Sequence, residues 1–131
     1  MPQNESAEFA VLGSVLIDSE CLSEIKFLKA DDFYDERCRW VYEVMLQLGI
    51  KADQITVADG LARARKLEAV GGCSFLSQLV LVVPTSFHCR YYAEIVKDYS
   101  ERRQAIQSAG QQAKQAYDGK HNKRKLKEIE V

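Results

Sequence analysis

The stretch from Ser86 to Asp118 constrains this chain more than any other, because it reads as one uninterrupted amphipathic helix. About 33 residues rising 1.5 Å each span about 50 Å, more than a domain of this size can cover. The apolar stripe also changes character halfway along. Tyr91, Tyr92, Ile95, Val96 and Tyr99 are bulky enough to pack on a globular core, whereas Ile106, Ala109, Gly110, Ala113, Ala116 and Tyr117 are mostly small. The first half therefore belongs to a compact body and the second half must project. A projecting helix with a small-residue face calls for a partner helix, and Gly119 followed by basic residues suggests a turn into an antiparallel second helix that is cut short at Val131.

The body ahead of it is helical too. Asn4 or Ser6 can cap a first helix carrying Phe9, Val11, Leu12, Val15 and Leu16. Leu22, Ile25 and Leu28 suggest a second, short helix after a break at Asp18-Ser19. Asp31-Asp32-Phe33-Tyr34 then precedes a helix from Asp35 to Leu48 striped by Trp40, Val41, Val44, Met45 and Leu48, with Gly49 as its C-cap. Two acids ahead of two aromatics fit a helix start, with the aromatics pinning the entering chain and the adjacent acids pointing apart into solvent. Thr56 to Asp59 resembles a capping box for a helix through Leu61 and Ala64 to Lys66. Gly71-Gly72 breaks the chain. Cys73 to Val83 fits strand or helix by pattern alone; its helical surroundings favour helix, stopped by Pro84. The predicted fold is all-α, a compact helical head over residues 1–99 and a hairpin over 100–131 whose second helix is incomplete.

At 131 residues, 47% hydrophobic and 28% charged, the composition is that of one soluble globular unit. No apolar run approaches the roughly 20 residues of a membrane span, and the start lacks the basic and apolar regions of a signal peptide, so a cytoplasmic location without membrane contact is expected. Cys21, Cys38, Cys73 and Cys89 are widely spaced without a C-x-x-C pair, which disfavours a zinc ribbon or a thioredoxin-like site. His88 beside Cys89 finds no second ligand pair, so the four cysteines read as buried reduced thiols acting as small hydrophobes.

Catalytic signatures are missing as well. There is no G-x-S-x-G, H-E-x-x-H or G-x-x-x-x-G-K-[ST] sequence, and the two histidines, His88 and His121, lie far apart. We expect no catalytic, cofactor-binding or metal-binding residues in this chain, and a binding function. Charge is uneven: residues 1–89 hold 8 Lys/Arg against 13 Asp/Glu, and residues 90–131 hold 10 against 6. Lys120, Lys123, Arg124, Lys125 and Lys127 form a basic end that could touch phosphate, which leaves a helical nucleic-acid-binding protein as the alternative reading. That segment lacks the interleaved aromatics that stacking on single strands would want.

Taken in order, Ala7-Glu8, Ala10 to Gly13, Asp18, Asp32-Phe33-Tyr34, Asp53 with Ile55-Thr56-Val57, Leu61, Leu67, Val70-Gly71-Gly72, Phe75-Leu76, Leu79, Pro84, Tyr91 to Val96 and Arg102-Arg103 resemble the N-terminal domain of DnaB-type replicative DNA helicases. The resemblance runs from Pro2 to about Tyr117 and implies an all-helical head and a helical hairpin. It further implies hairpins that pair into dimers, a collar of three dimers, and docking of the C-terminal domain of a DnaG-type primase, with a helicase loader as a further partner. The ATPase motor of such proteins, with its ATP and Mg and its grip on DNA, lies in a separate domain. The family's primase contacts fall on Phe75, Ile106 and Gln112, the last being polar where the family has an aliphatic residue. Self-association falls to Ile106, Ala109, Ala113 and Tyr117. His88 stands where the family often has Asn, and the loop from Gly49 to Asp53 is several residues short.

Overall fold

A computed structural model describes residues 1–119, which form six α-helices joined by short 3-10 turns. No strand occurs among the described residues. The basic end from Lys120 to Lys127, with His121, and the second helix of the expected hairpin lie outside them.

Helix α1 (Glu5–Ile17) is the axis of the head. Asn4 caps it by accepting the Ala7 N–H at 2.9 Å, and every residue from Ala7 to Leu16 is buried. A helix apolar on all sides has to be enclosed, and α1 packs chiefly against α5 (Gly72–Val82) and α6 (Cys89–Tyr117). The approach to α5 is close at Gly13, where an added Cβ would run into the Leu79 carbonyl oxygen.

The second helix expected around Leu22 to Leu28 does not form. Asp18 accepts the Glu20 N–H, Ser23 bonds back to the Glu20 carbonyl, and these local bonds hold Ser19–Glu24 as a 3-10 turn. Ile25 and Leu28 are still buried, as anchors of a non-helical segment. Helix α2 (Glu36–Leu48) follows the predicted bounds, opened by the Asp35 side chain and closed at Gly49.

Helix α3 (Gln54–Arg63) starts three residues earlier than the capping box at Thr56-Asp59 suggested. Asp53 is the cap, accepting the Thr56 N–H at 2.8 Å while the Thr56 hydroxyl accepts the Asp53 N–H at 2.8 Å. Asp is a better cap than Thr, and Thr56 becomes its reciprocal partner. One helical turn, α4 (Leu67–Val70), ends at Gly71 and Gly72, whose φ values of 108° and 72° would strain any residue with a Cβ. Helix α5 then stops before Pro84 and meets α6 across a bend of 82°. No single helix among the described residues is long and apolar enough to cross a membrane.

Helix α6 has 29 residues, about 43 Å of length. Its buried positions are Cys89, Ala93, Val96, Ser100 and Arg103; every residue from Gln104 to Asp118 is exposed. The distal half is a stalk, as the change in stripe requires.

Candidate docking stalk and its anchor

The buried face of α6 recurs at Ala93, Val96, Ser100 and Arg103, spacings of three and four that keep one phase of the helix. It changes chemistry along that phase, from apolar to polar, where the helix leaves the head. Its polar partners come from Asp31–Tyr34. Asp31 is exposed as predicted, but Asp32 is 3% exposed, a correction to the solvated acid pair.

The 3-10 turn Ala30–Asp32 aims the Asp32 carboxylate inward. It accepts the Ser100 hydroxyl at 2.7 Å, the Lys97 ammonium at 3.2 Å and the Lys29 N–H at 2.7 Å. Arg103 donates to the Asp32 carbonyl at 2.7 Å and to the Pro2 carbonyl at 2.9 Å, and its guanidinium lies over the Tyr34 ring. These bonds repay the desolvation of the buried polar groups.

Glu8 completes the arrangement from α1, accepting the N–H groups of Tyr34 at 2.9 Å and Asp35 at 3.1 Å. Burial pushes its carboxyl above the usual 4.5; the two N–H donors and the Arg103 charge pull it back only in part, and the Asp35 charge adds to the rise. Asp35 moves the other way, lowered chiefly by its hydrogen bonds from Arg37. A carboxyl raised on folding stabilises the fold fully below its unfolded pKa, and that contribution is lost as pH rises through the folded value. Chemical denaturation followed from pH 4 to pH 7.5 is therefore expected to show a declining component that Glu8→Gln flattens. An unchanged slope in the variant would contradict this assignment.

The predicted site residues occupy different settings. Phe75 is 3% exposed, edge-on to Phe9 at 5.4 Å with the Arg37 guanidinium 4.6 Å from its ring, so it backs the head surface from within. Ile106 is 48% exposed and Tyr117 is 92% exposed; Ala109 and Ala113 lie between them, also in solvent. At about 100° per residue these four share an arc of about 80° on the stalk. Gln112 is exposed but lies about 120° round the helix from Ile106. The arc continues onto the head through Tyr99, Ile95 and Tyr91, of which Ile95 and Tyr91 are exposed.

Sequence reasoning missed the anchoring roles of Glu8, Lys97 and Ser100, although Ser100 and Arg103 continue the phase of Ala93 and Val96 and could have been read from it. Among the described residues no group of three or more His, Cys, Asp or Glu is placed to hold a metal ion. Cys89 lies inside the core, and burial pushes its thiol up.

The family model described as "DnaB-like helicase N terminal domain" matches residues 1–98. The chain is 39% identical over 122 residues to the replicative DNA helicase DnaB of Geobacillus stearothermophilus, covering 88% of this chain and 26% of that protein. It is 38% identical over 120 residues to the replicative DNA helicase DnaC of Bacillus subtilis, again covering 88% and 26%. The chain thus spans about a quarter of the length of these relatives. The crystal structure of the N-terminal domain of DnaB helicase from Mycobacterium tuberculosis superposes with a TM-score of 0.87 at 33% identity, covering 90% of this chain and 87% of that one. A DnaB-like replicative helicase, solved in a study of its interactions with primase, superposes with a TM-score of 0.72 at 31% identity, covering 82% of this chain and 26% of that one.

Proposed function

Because this chain belongs to the family of DnaB-like helicase N-terminal domains, we propose that it is the collar module of a replicative DNA helicase and acts by pairing stalks between subunits. The observation that carries this reading is the exposed arc of Ile106, Ala109, Ala113 and Tyr117 on a helix that continues well past its own head. ATP, Mg and DNA are handled elsewhere in such a helicase, and this module contributes assembly. Division at about residue 99 separates a head that positions from a stalk that pairs.

The arc is self-complementary. Two α6 helices running antiparallel, with Ile106 facing Ile106, set Ala113 against Tyr99, Gly110 against Arg102 and Tyr117 against Ile95. The bulky half of one face then meets the small half of the other. A two-fold pairing of this kind closes on itself as a dimer, the unit from which a ring of three dimers is built. A DnaG-type primase is the proposed further partner, with a loader as a second. Gln112, off the pairing arc, is the surface position for the primase, Ile106 being taken up at the centre of the pair, and Phe75 shapes the head beneath it.

Ala113→Trp places a large ring where the helices must approach closely. Sedimentation equilibrium is expected to show the parent chain self-associating and the variant associating at least tenfold more weakly, about 1.4 kcal/mol or more. Equal association of the two would remove the stalk arc from the pairing surface.

A further inference from the structure

We propose that the polar cluster of Glu8, Asp32, Lys97, Ser100 and Arg103 is a latch that sets the direction in which the stalk leaves the head, and that it can release while the apolar head stays folded. The proposal goes beyond the collar reading and needs no second copy of the chain.

Three observations carry it. First, the seat of α6 is divided in two. Cys89, Ala93 and Val96 sink into the apolar core, whereas Ser100 and Arg103 are held by hydrogen bonds, so the two parts can separate energetically. Second, Ser100 and Arg103 of the stalk root bond to irregular chain and not to a helix of the head. Arg103 and Ser100 bond to Asp32 in a 3-10 turn and to Pro2 ahead of α1, and Glu8 in turn secures that turn through the N–H groups of Tyr34 and Asp35. These bonds can open while Phe33 of the same segment stays buried against Tyr42.

Third, a cleft of about 690 Å³ opens beside the latch, lined by Tyr34, Asp35, Arg39, Ser100, Arg103 and Gln104 among others. Water in that cleft can take over the hydrogen bonds of Ser100 and Arg103, and Asp32 keeps its bonds from Lys29 and Lys97, which lowers the cost of opening. Every residue from Gln104 to Asp118 is exposed, and about 21 Å of stalk lies between Arg103 and Tyr117. A small tilt at the latch is thus magnified at the stalk tip.

The test reads the direction of the stalk. Among the described cysteines only Cys73 is exposed, and Gln111 lies on the stalk away from the pairing arc. Nitroxide labels on Cys73 and on Gln111→Cys in the full chain, diluted with unlabelled protein, give a head-to-stalk distance distribution by electron double resonance. The parent is expected to show one narrow distribution. Arg103→Gln is expected to widen it at least twofold while the head keeps a single cooperative melting transition. Ser100→Ala, a milder change, is expected to widen it less, and serves if Arg103→Gln does not fold. A distribution as narrow as the parent's in a folded variant would overturn the latch. Loss of the head's melting transition in both variants would overturn it too, since the cluster would then be part of the head's cooperative core.

Discussion

Gly13→Ala is expected to lower the stability of the head by about 3 kcal/mol, the upper end of what overpacking a filled site costs. The mechanism is steric and specific. The backbones of α1 and α5 approach each other at this residue, and the new Cβ would collide with the Leu79 carbonyl, with the Val83 side chain close behind. A carbonyl belongs to its helix and cannot rotate aside as a side chain can. The two helices have to part, and α1, buried from Ala7 to Leu16, loses contacts along its length. Gly110→Ala is the control: nothing lies within 4 Å of its Cβ position, so helix propensity predicts a gain of about 0.5–1 kcal/mol. Urea denaturation of the two variants checks the pair. A Gly13 variant as stable as the parent would mean that α1 and α5 do not approach this closely.

Phe33→Ala is expected to cost about 4 kcal/mol, whereas Tyr34→Ala costs less than about 1 kcal/mol. The two aromatics are neighbours in sequence and face opposite ways. Phe33 is 1% exposed and packs on Tyr42 with ring centroids 5.0 Å apart, and the Tyr42 hydroxyl in turn bonds to the Leu28 carbonyl. Truncating Phe33 opens a cavity beside a polar group that depends on its neighbours for position. Tyr34 is 42% exposed and offers one ring face to Arg103. Melting temperatures for the two alanine variants separate them, and equal losses would contradict the opposed orientations.

How far the fold could be read in advance depended on how local its causes were. The first cap, narrowed to Asn4 or Ser6, the breaks at Gly71-Gly72 and Pro84, and the length of α6 all follow from residues within a turn of one another, and each was legible. The cap of α2, by contrast, is Asp35 and not the acid pair at Asp31-Asp32. The 3-10 turn at Ser19–Glu24 was not. There Leu22, Ile25 and Leu28 supply a helical spacing, while serine and aspartate side chains take the backbone bonds a helix would need. The Asp53 cap was misplaced because Thr56 and Asp59 form an equally plausible pair three residues on. Asp32 was harder still. Its burial depends on Ser100 and Lys97, which stand 68 and 65 residues away, and nothing near Asp32 announces them. The projection of the distal half of α6 was legible from the change in its stripe. Whether Phe75 pointed out or in was not, because an aromatic at a helix start suits both.

The bond from Arg103 to Pro2 links residues 101 apart, and it has a consequence for how the head is made. During synthesis α1 leaves the ribosome first, yet the helices that enclose it, α5 and α6, are among the last parts of the head to emerge. Until then the most fully buried helix among the described residues lacks its main cover, and its N-terminal strap has nothing to tie to. Folding cannot proceed outward from the first helix. It waits for α5 and the apolar half of α6, so nascent chains halted before Val96 leave α1 without its main cover and exposed to misassembly.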